Sequence, residues 1–277
     1  MKKLMLIPVI GMMVLFSSCS EDGEGSTDLV QEFDLESETT IEANYDDVDE
    51  VVNAGLESGG SNAGRIVEDE LLDGVTVTRD SANNMITIDF GDGVEGPGGR
   101  VRKGKIIITY EGRKWEPGSF RQVTFEEFFI DDVKVEGVRT HTNTAESRDD
   151  NPQFAITLSG GKLTFTDGTV ASREVDKLRT WIRATNPLDD EVTMEGIASG
   201  ARRDGVTYSM EILEPIVYKR DCRRARVFVP VAGVKQITSG ENVMSIDYGD
   251  GTCDNIATVT VNGGEPEEIT LNLKGRR

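Results

Sequence analysis

The side chains best suited to nucleophilic and metal chemistry are scarce in this sequence. Its 277 residues include three cysteines, at positions 19, 222 and 253, and a single histidine, His141. Any Ser–His–Asp or Cys–His mechanism would depend on His141, which follows Thr140 at the end of a polar strand and is expected at the surface. No G-x-S-x-G nucleophile elbow is present. One histidine also argues against zinc, because four nitrogen or sulfur ligands are the norm.

Carboxylates are the remaining candidates for catalysis, since the chain has 50 aspartates and glutamates. The obvious pairs are adjacent in sequence: residues 126–127, 149–150 and 267–268. Neighbouring residues of a strand face opposite sides, so these pairs do not converge on one substrate. The sequence therefore favours a protein without a catalytic site. The alternative that stays open is a carboxylate-based hydrolase of sugars.

Two glycine turns carry the candidate metal ligands. Residues 84–93 and 242–251 share six of ten positions, and each is a strand that enters a Gly-Asp-Gly turn. Calcium is a secondary hypothesis here, because no EF-hand spacing is present. The favoured interpretation is structural: the glycines supply positive φ and Asp92 and Asp250 bond turn amides, and no cofactor is expected. The candidate calcium ligands are Asp89, Asp92, Asp247, Asp250 and Asp254.

The first 18 residues have the order of a secretion signal. Lys2 and Lys3 precede a 13-residue apolar run at 4–16, and small residues follow. The run is too short for a permanent transmembrane helix, which needs about 20 residues. Residues 16–19, Phe-Ser-Ser-Cys, resemble the bacterial lipobox, although Phe16 stands where that family usually has leucine. The resemblance implies cleavage before Cys19 and lipidation of its thiol, and two or more acyl chains form a stable membrane anchor.

The acidic residues after Cys19 refine this resemblance. Residues 21–24, Glu-Asp-Gly-Glu, resemble the surface-export signal of Bacteroidota lipoproteins. Together with the run at 247–254 and the closing Val-Asn-Gly turn, they make the whole chain similar to Bacteroidota surface lipoproteins of unassigned function. The resemblance implies an outer-membrane location, attachment through Cys19 and exposure at the cell surface. A plain acidic tether is the alternative.

The net charge limits the possible partners, and the expected compartment predicts the redox state of the other two cysteines. Residues 1–18 hold two of the 30 basic residues and no acidic residue, so the rest of the chain carries 28 basic and 50 acidic residues, a charge of −22. Such a charge argues against nucleic acid and anionic lipid as partners. In an oxidising compartment we expect Cys222 and Cys253 to form a disulfide, with two free thiols as the alternative.

Composition and pattern divide the mature chain into three parts. Residues 19–43 are acidic and poor in aromatics, which predicts a flexible tether. Residues 44–72 are a short helical segment: Asn44 is a candidate cap, acidic residues follow it, and Val48, Val51, Val52 and Leu56 share one face. Residues 73–277 form an antiparallel β-domain.

The β-domain is predicted from period-two alternation. About 14 runs alternate in this way, including those at 154–158, 206–212, 225–231 and 269–273. Residues 104–143 and 161–202 resemble each other and indicate a repeated unit of three or four strands. The fold class is therefore mainly all-β: an extended or sandwich-like antiparallel sheet assembly with internal strand repeats and a short N-terminal helix.

Aromatic and arginine side chains are the candidate contacts with partners. Phe125 and Phe128 fall in opposite alternation phases, which predicts either a β-bulge or a strand with apolar contacts on both faces. Trp115 lies in a turn-like segment and is the aromatic residue expected to be exposed, where it could contact a glycan or protein partner. Arg220, Arg223, Arg224 and Arg226 form a basic patch, either a partner site or a set of pairs with nearby acids.

These features predict a lipid-anchored cell-envelope protein with a binding or structural role. The alternative is a carbohydrate-active enzyme or a glycan-binding accessory protein at the cell surface. The sequence leaves the oligomeric state open.

Overall fold

The computed structural model describes residues 35–58 and 70–271. Helix α1 spans Leu35–Glu57, and short 3₁₀ turns occupy Glu70–Leu72, Pro97–Gly99, Pro187–Asp189 and Asp221–Ala225. The strands are β1 Thr76–Asp80, β2 Met85–Asp89, β3 Val94–Glu95, β4 Val101–Glu111, β5 Phe120–Ile130, β6 Val133–Asn143, β7 Gln153–Thr164, β8 Val170–Ile182, β9 Glu191–Ala201, β10 Thr207–Lys219, β11 Ala232–Ser239, β12 Asn242–Asp250, β13 Ile256–Val261 and β14 Glu267–Thr270.

All 14 strands belong to one antiparallel sheet. Apart from β3, which pairs only with β4, they follow one another in sequence order from β1 to β14. The predicted all-β class is confirmed, in the form of one extended sheet with β1 and β14 as its edge strands. Short hairpin loops suffice for this order because each strand pairs with its sequence neighbours.

The alternation of apolar residues gives the sheet one buried inner face. Along β7, for example, Phe154, Ile156 and Leu158 are buried as predicted. Thirteen strands laid flat would span roughly 55–60 Å, whereas a 23-residue helix is only about 35 Å long. Residues as distant as Val259 of β13 are nevertheless 1% exposed and belong to the same core cluster as the buried helix residues, so the helix alone does not account for the burial of the inner face.

Helix α1 lies across the strands and begins earlier than the sequence predicted. It starts at Leu35, so residues 35–43 are helical and not part of the tether. Asn44 is not a cap: it lies inside the helix, and its amide donates to the carbonyl of Thr40. The buried stripe runs from Ile41 through Val48 and Val51, which extends the predicted apolar face by two turns toward the N-terminus. At the end of the predicted helical segment 44–72, Glu70–Leu72 is a 3₁₀ turn, and residues 59–69 lie outside the described part.

The structure contains the predicted bulge, and the two similar sequence units share departures from regular strand geometry. Glu127 has a φ of 42°, and the pairing registers of β4 with β5 and of β5 with β6 shift around it. In the two similar sequence units, Gly104 and Gly161 both lie at register shifts. Gly137 and Gly196 have similar φ values of 127° and 121°. Glycine is required at Gly104, where a Cβ atom would lie 1.8 Å from the Glu127 carbonyl oxygen.

The segment between β10 and β11 differs from the prediction. Residues 225–231 were expected to form a strand, but Asp221–Ala225 is a 3₁₀ turn and Arg226 is left-handed. Val227, Val229 and Val231 are nevertheless buried, in a small cluster with Cys222. The predicted disulfide between Cys222 and Cys253 is present, with a Cα–Cα distance of 5.1 Å. It joins this segment to the β12–β13 loop. The buried valines therefore belong to a loop that is held by a disulfide and not to a strand.

Candidate functional site

The inner face of the sheet carries buried cations, and the helix supplies their counter-ions. Glu42 binds Lys177 of β8 at 2.8 Å and Lys235 of β11 at 3.5 Å. Burial alone would raise the pKa of Glu42, but Lys177, Lys235 and Arg173 hold it well below its usual value. The helix is thus fixed to the sheet by charge as well as by apolar contacts.

Two further helix carboxylates extend this pattern. Asp47 accepts hydrogen bonds from Arg102, whose side chain is 2% exposed, and pairs with Arg100 at 3.3 Å. Asp49 accepts two hydrogen bonds of 2.7 Å from Arg139 on β6. Such bidentate pairs combine strong attraction with fixed geometry, and they place the helix at a defined position on the sheet.

The prediction that His141 is a surface residue is wrong. His141 is 8% exposed, and its Nε2 atom lies 3.1 Å from the Asp49 carboxylate. Burial lowers the pKa of His141, and the neighbouring Asp49 offsets only part of that effect. Burial would raise the pKa of Asp49, but Arg139 and His141 outweigh it and hold that pKa well below its usual range. His141 is therefore largely neutral at pH 7, beside a carboxylate that stays ionised.

Next to this pair, a pocket opens where the helix ends. We call it the aromatic–cation pocket, and it has a volume of about 70 Å³. The strand ends that form it are the C-terminal ends of β4, β6 and β8 and the N-terminal ends of β5 and β7. It is lined by Asp49, Val52, Asn53, Lys114, Trp115, Arg121, His141, Phe154, Ile156, Arg179 and Trp181.

Aromatic rings form one wall of the pocket. Trp115 packs edge-on against Trp181 at 5.3 Å and against Phe154 at 5.8 Å between ring centroids. Trp115 is 41% exposed, which confirms the predicted exposure. The indole N–H of Trp181 donates to Asp190 at 3.0 Å. The Trp181 indole is therefore held by a hydrogen bond, whereas the Trp115 indole is partly exposed at the mouth, with Lys114 Nζ 4.9 Å from its ring centroid.

The loop that carries Trp115 is well supported. Glu116 accepts from the Arg113 amide through its side chain, and its own amide donates to the Arg113 carbonyl at 2.8 Å. Gly118 donates to the Asn143 carbonyl at 2.9 Å, which joins the loop to the end of β6. The position of the indole is thus set before any ligand arrives.

Cations outnumber the carboxylates available to them in the pocket. Lys114 donates to Asn53 at 2.9 Å and reaches Glu57 at 3.4 Å. The Arg121 guanidinium donates to Asn53 at 3.4 Å and pairs with no carboxylate of the described residues. Arg179 is exposed on the inner face, and its guanidinium has neither an ion pair nor a hydrogen bond within the described part of the chain.

The pKa values of Lys114 and Arg121 reflect the excess of positive charge in the pocket. Burial lowers the pKa of Lys114, and the positive charge of Arg121 lowers it further. Burial likewise lowers the pKa of Arg121; the Asp49 carboxylate offsets part of this effect, and Arg179 adds to it. An anion placed among these three side chains would stabilise their charged forms.

Four of the five candidate calcium ligands accept hydrogen bonds from residues of their own turns. Asp89 accepts from the Gly91 amide and Asp247 from the Gly249 amide, both at 2.8 Å. Asp250 accepts from Thr252, as predicted for a turn residue. Asp254 accepts from the Ile256 amide. Asp92 is exposed and accepts no turn amide within the described residues, so that prediction is wrong; Asp89 holds this turn instead.

Within residues 35–58 and 70–271, the one group of three metal-ligating side chains brought together is Asp221 with Cys222 and Cys253. Both of its sulfurs are bonded to each other. The described residues therefore assemble no calcium ligand set from the candidate aspartates.

The four arginines of the predicted basic patch differ in their contacts. Arg220 pairs with Asp190 at 3.6 Å, as the simpler interpretation expected. Arg223, Arg224 and Arg226 are exposed, and their side chains bind no other residue of the described ranges. Charge pairing thus accounts for one of the four arginines.

The pocket does not have the layout of a glycoside hydrolase. That chemistry needs two carboxyl groups across the substrate, one of them protonated to act as the acid. Asp49 is the one carboxylate that lines this pocket, and its low pKa keeps it ionised. The absence of catalytic activity stays a prediction.

The anchor lies outside the described residues, so the signal peptide at 1–18 and the lipidation of Cys19 stay predictions. Among the described helices, none is long and apolar enough to cross a membrane. Comparisons with protein-family models, curated protein sequences and solved structures give no match. Function must therefore be argued from the site itself.

Proposed function

We propose that this protein is a lipid-anchored binding protein of the outer membrane, exposed at the cell surface. Its lipid is carried by Cys19, and its ligand site is the aromatic–cation pocket. The lipobox-like sequence and the acidic residues after it support the anchor. A disulfide is common in oxidising compartments outside the cytoplasm, and Cys222–Cys253 agrees with export.

The observation that carries the binding role is the composition of the pocket mouth. An exposed Trp115, held by a supported loop, stands beside Arg179, a cation without a partner in the described chain. A concave site that combines aromatic surface with a few convergent polar groups is the usual form of a small-ligand site. A purely structural role would explain neither the exposed indole of Trp115 nor the guanidinium of Arg179, which is unpaired among the described residues.

A glycan is the ligand class that we favour. An indole offers a flat apolar surface with a polar edge, which suits the C–H face of a sugar ring whose hydroxyl groups remain hydrated. Glycan binding without hydrolysis agrees with a pocket that is lined by one ionised carboxylate.

The anchor is tested by comparing the full-length protein with Cys19→Ser in its native host. We expect the wild type to partition into the detergent phase and Cys19→Ser to lose its acyl chains, as measured by mass spectrometry of the N-terminal peptide. Protease treatment of intact cells then tests exposure. Digestion only after cell lysis would contradict the surface location.

The binding role is tested by tryptophan fluorescence, because Trp115 and Trp181 are the chain's only tryptophans. Titration with a panel of neutral and acidic oligosaccharides should change the emission of the wild-type protein. Trp115→Ala should remove binding as measured by calorimetry, whereas Phe228→Ala, at an exposed aromatic outside the pocket, should not. A panel without a single binder would contradict glycan recognition.

A further inference from the structure

We propose that the aromatic–cation pocket selects sugars that carry a carboxylate, the uronates. The carboxylate would lie among Arg179, Lys114 and Arg121, and the sugar ring would pack on Trp115. This inference rests on the proposed binding function and adds the chemical class of the ligand.

The charge balance of the pocket is the first argument. Asp49 is already neutralised by its bidentate pair with Arg139, and Glu57 is the carboxylate within reach of Lys114. Arg179 then remains without a counter-ion among the described residues, and Arg121 makes no ion pair there, although the charges of Asp49 and Glu57 act on it. A single carboxylate fits a guanidinium in a bidentate manner, and it would neutralise part of this excess.

Position is the second argument. Arg179 lies two residues after Lys177 on β8, so it shares the inner face with that buried lysine. It stands opposite Phe154 in the pairing of β7 with β8. Lys177 is neutralised by the helix residue Glu42. Arg179 occupies the equivalent inward position at the strand end and is exposed at the pocket mouth, where a ligand can supply the missing carboxylate.

The aromatic wall and the net charge narrow the class of anion. Trp115 is 41% exposed and lines the pocket together with Arg179, so a ligand that brings a ring to the indole and a carboxylate to the guanidinium would use both side chains. The mature chain carries a charge of −22, which repels ligands of high charge density. A sugar with one carboxylate satisfies both conditions.

The test compares glucuronate with glucose as their methyl glycosides, because the pair differs only at the C6 carboxylate. Titration followed by tryptophan fluorescence should show at least tenfold tighter binding of the glucuronate. Charge-assisted hydrogen bonds contribute about 1.5–3 kcal/mol, and 1.4 kcal/mol corresponds to a factor of ten. Raising the salt concentration should reduce the preference, since the pocket is open to solvent.

Arg179→Gln is the decisive variant. It should weaken glucuronate binding roughly tenfold or more, so that the ratio of the glucuronate affinity to the glucose affinity falls toward one. Arg224→Gln, which removes an exposed arginine outside the pocket, is the matched control and should keep the preference. Circular dichroism verifies that both variants are folded.

The outcomes separate this inference from the proposed function. Equal binding of glucuronate and glucose would overturn the uronate preference while glycan binding stands. Equal binding of acetate and glucuronate, or tighter binding of octanoate, would also overturn it, because the pocket would then recognise an anion without its ring or a lipid carboxylate. If neither sugar binds at any concentration tested, the uronate inference fails, and the oligosaccharide panel decides whether glycan binding stands.

Discussion

Replacing Asp49 by asparagine should destabilise the protein by about 3 kcal/mol. Removing one partner of a buried ion pair costs about 3–5 kcal/mol, because the other charge is left uncompensated. The Asp49 side chain is 15% exposed and that of Arg139 is 8% exposed, so solvent screens part of the loss and the lower end applies. In chains of this size each kcal/mol lowers Tm by about 2–4 °C, which gives a decrease of roughly 6–12 °C.

Thermal unfolding followed by circular dichroism measures this decrease. Asp176→Asn is the matched control, because Asp176 is exposed on the outer face of β8 and its side chain has no partner within the described ranges. It should change stability by less than about 0.5 kcal/mol. Adding Arg139→Gln to Asp49→Asn removes the uncompensated charge and should recover part of the loss. Equal melting temperatures for Asp49→Asn and Asp176→Asn would refute the reasoning.

Three further changes test other parts of the fold. Burial lowers the pKa of His141, so its contribution to stability is fully present above about pH 6.5 and is lost as the pH falls below it. The wild type should therefore lose more stability than His141→Gln between pH 7.5 and 5.5 in urea titrations, and parallel curves would contradict this. Replacing Cys222 and Cys253 by serine opens a loop of 31 residues and should cost about 3–4 kcal/mol, whereas an unchanged urea midpoint would show that the bond is not formed. Gly104→Ala adds a backbone clash to a positive φ and should cost several kcal/mol, whereas Gly168→Ala, with the same φ and open space around it, should cost about 1 kcal/mol. Equal urea midpoints for these two variants would contradict the close approach.

The features that depend on local pattern could be predicted from the sequence. Period-two alternation gave the strands of β7 and β10, and the phase change between Phe125 and Phe128 indicated the bulge in β5. The exposure of Trp115 and the pairing of Cys222 with Cys253 also follow from local sequence and compartment. Each of these depends on a few neighbouring residues or on redox conditions.

The charged core could not be predicted in the same way. The acidic residues near Asn44 were interpreted as favourable for a helix N-terminus, whereas Asp47 and Asp49 pair with sheet cations far along the chain. One signal was available: Arg173 and Lys177 stand in the same alternation phase as Val175. A basic residue at an inward position needs a buried counter-ion, but the sequence does not say which acid supplies it.

The ion pairs along helix α1 would come under load in a fixed order if the helix were pulled from its N-terminal end. Tension applied through the segment before Leu35 would act first on Glu42 and its lysines, then on Asp47, and only afterwards on Asp49. Because the helix lies across the strands, its contacts with the sheet would break one after another and not all at once. The pocket is formed by the last part of the helix to be loaded, so a pull from the N-terminal side would have to detach most of the helix before it disturbed the pocket.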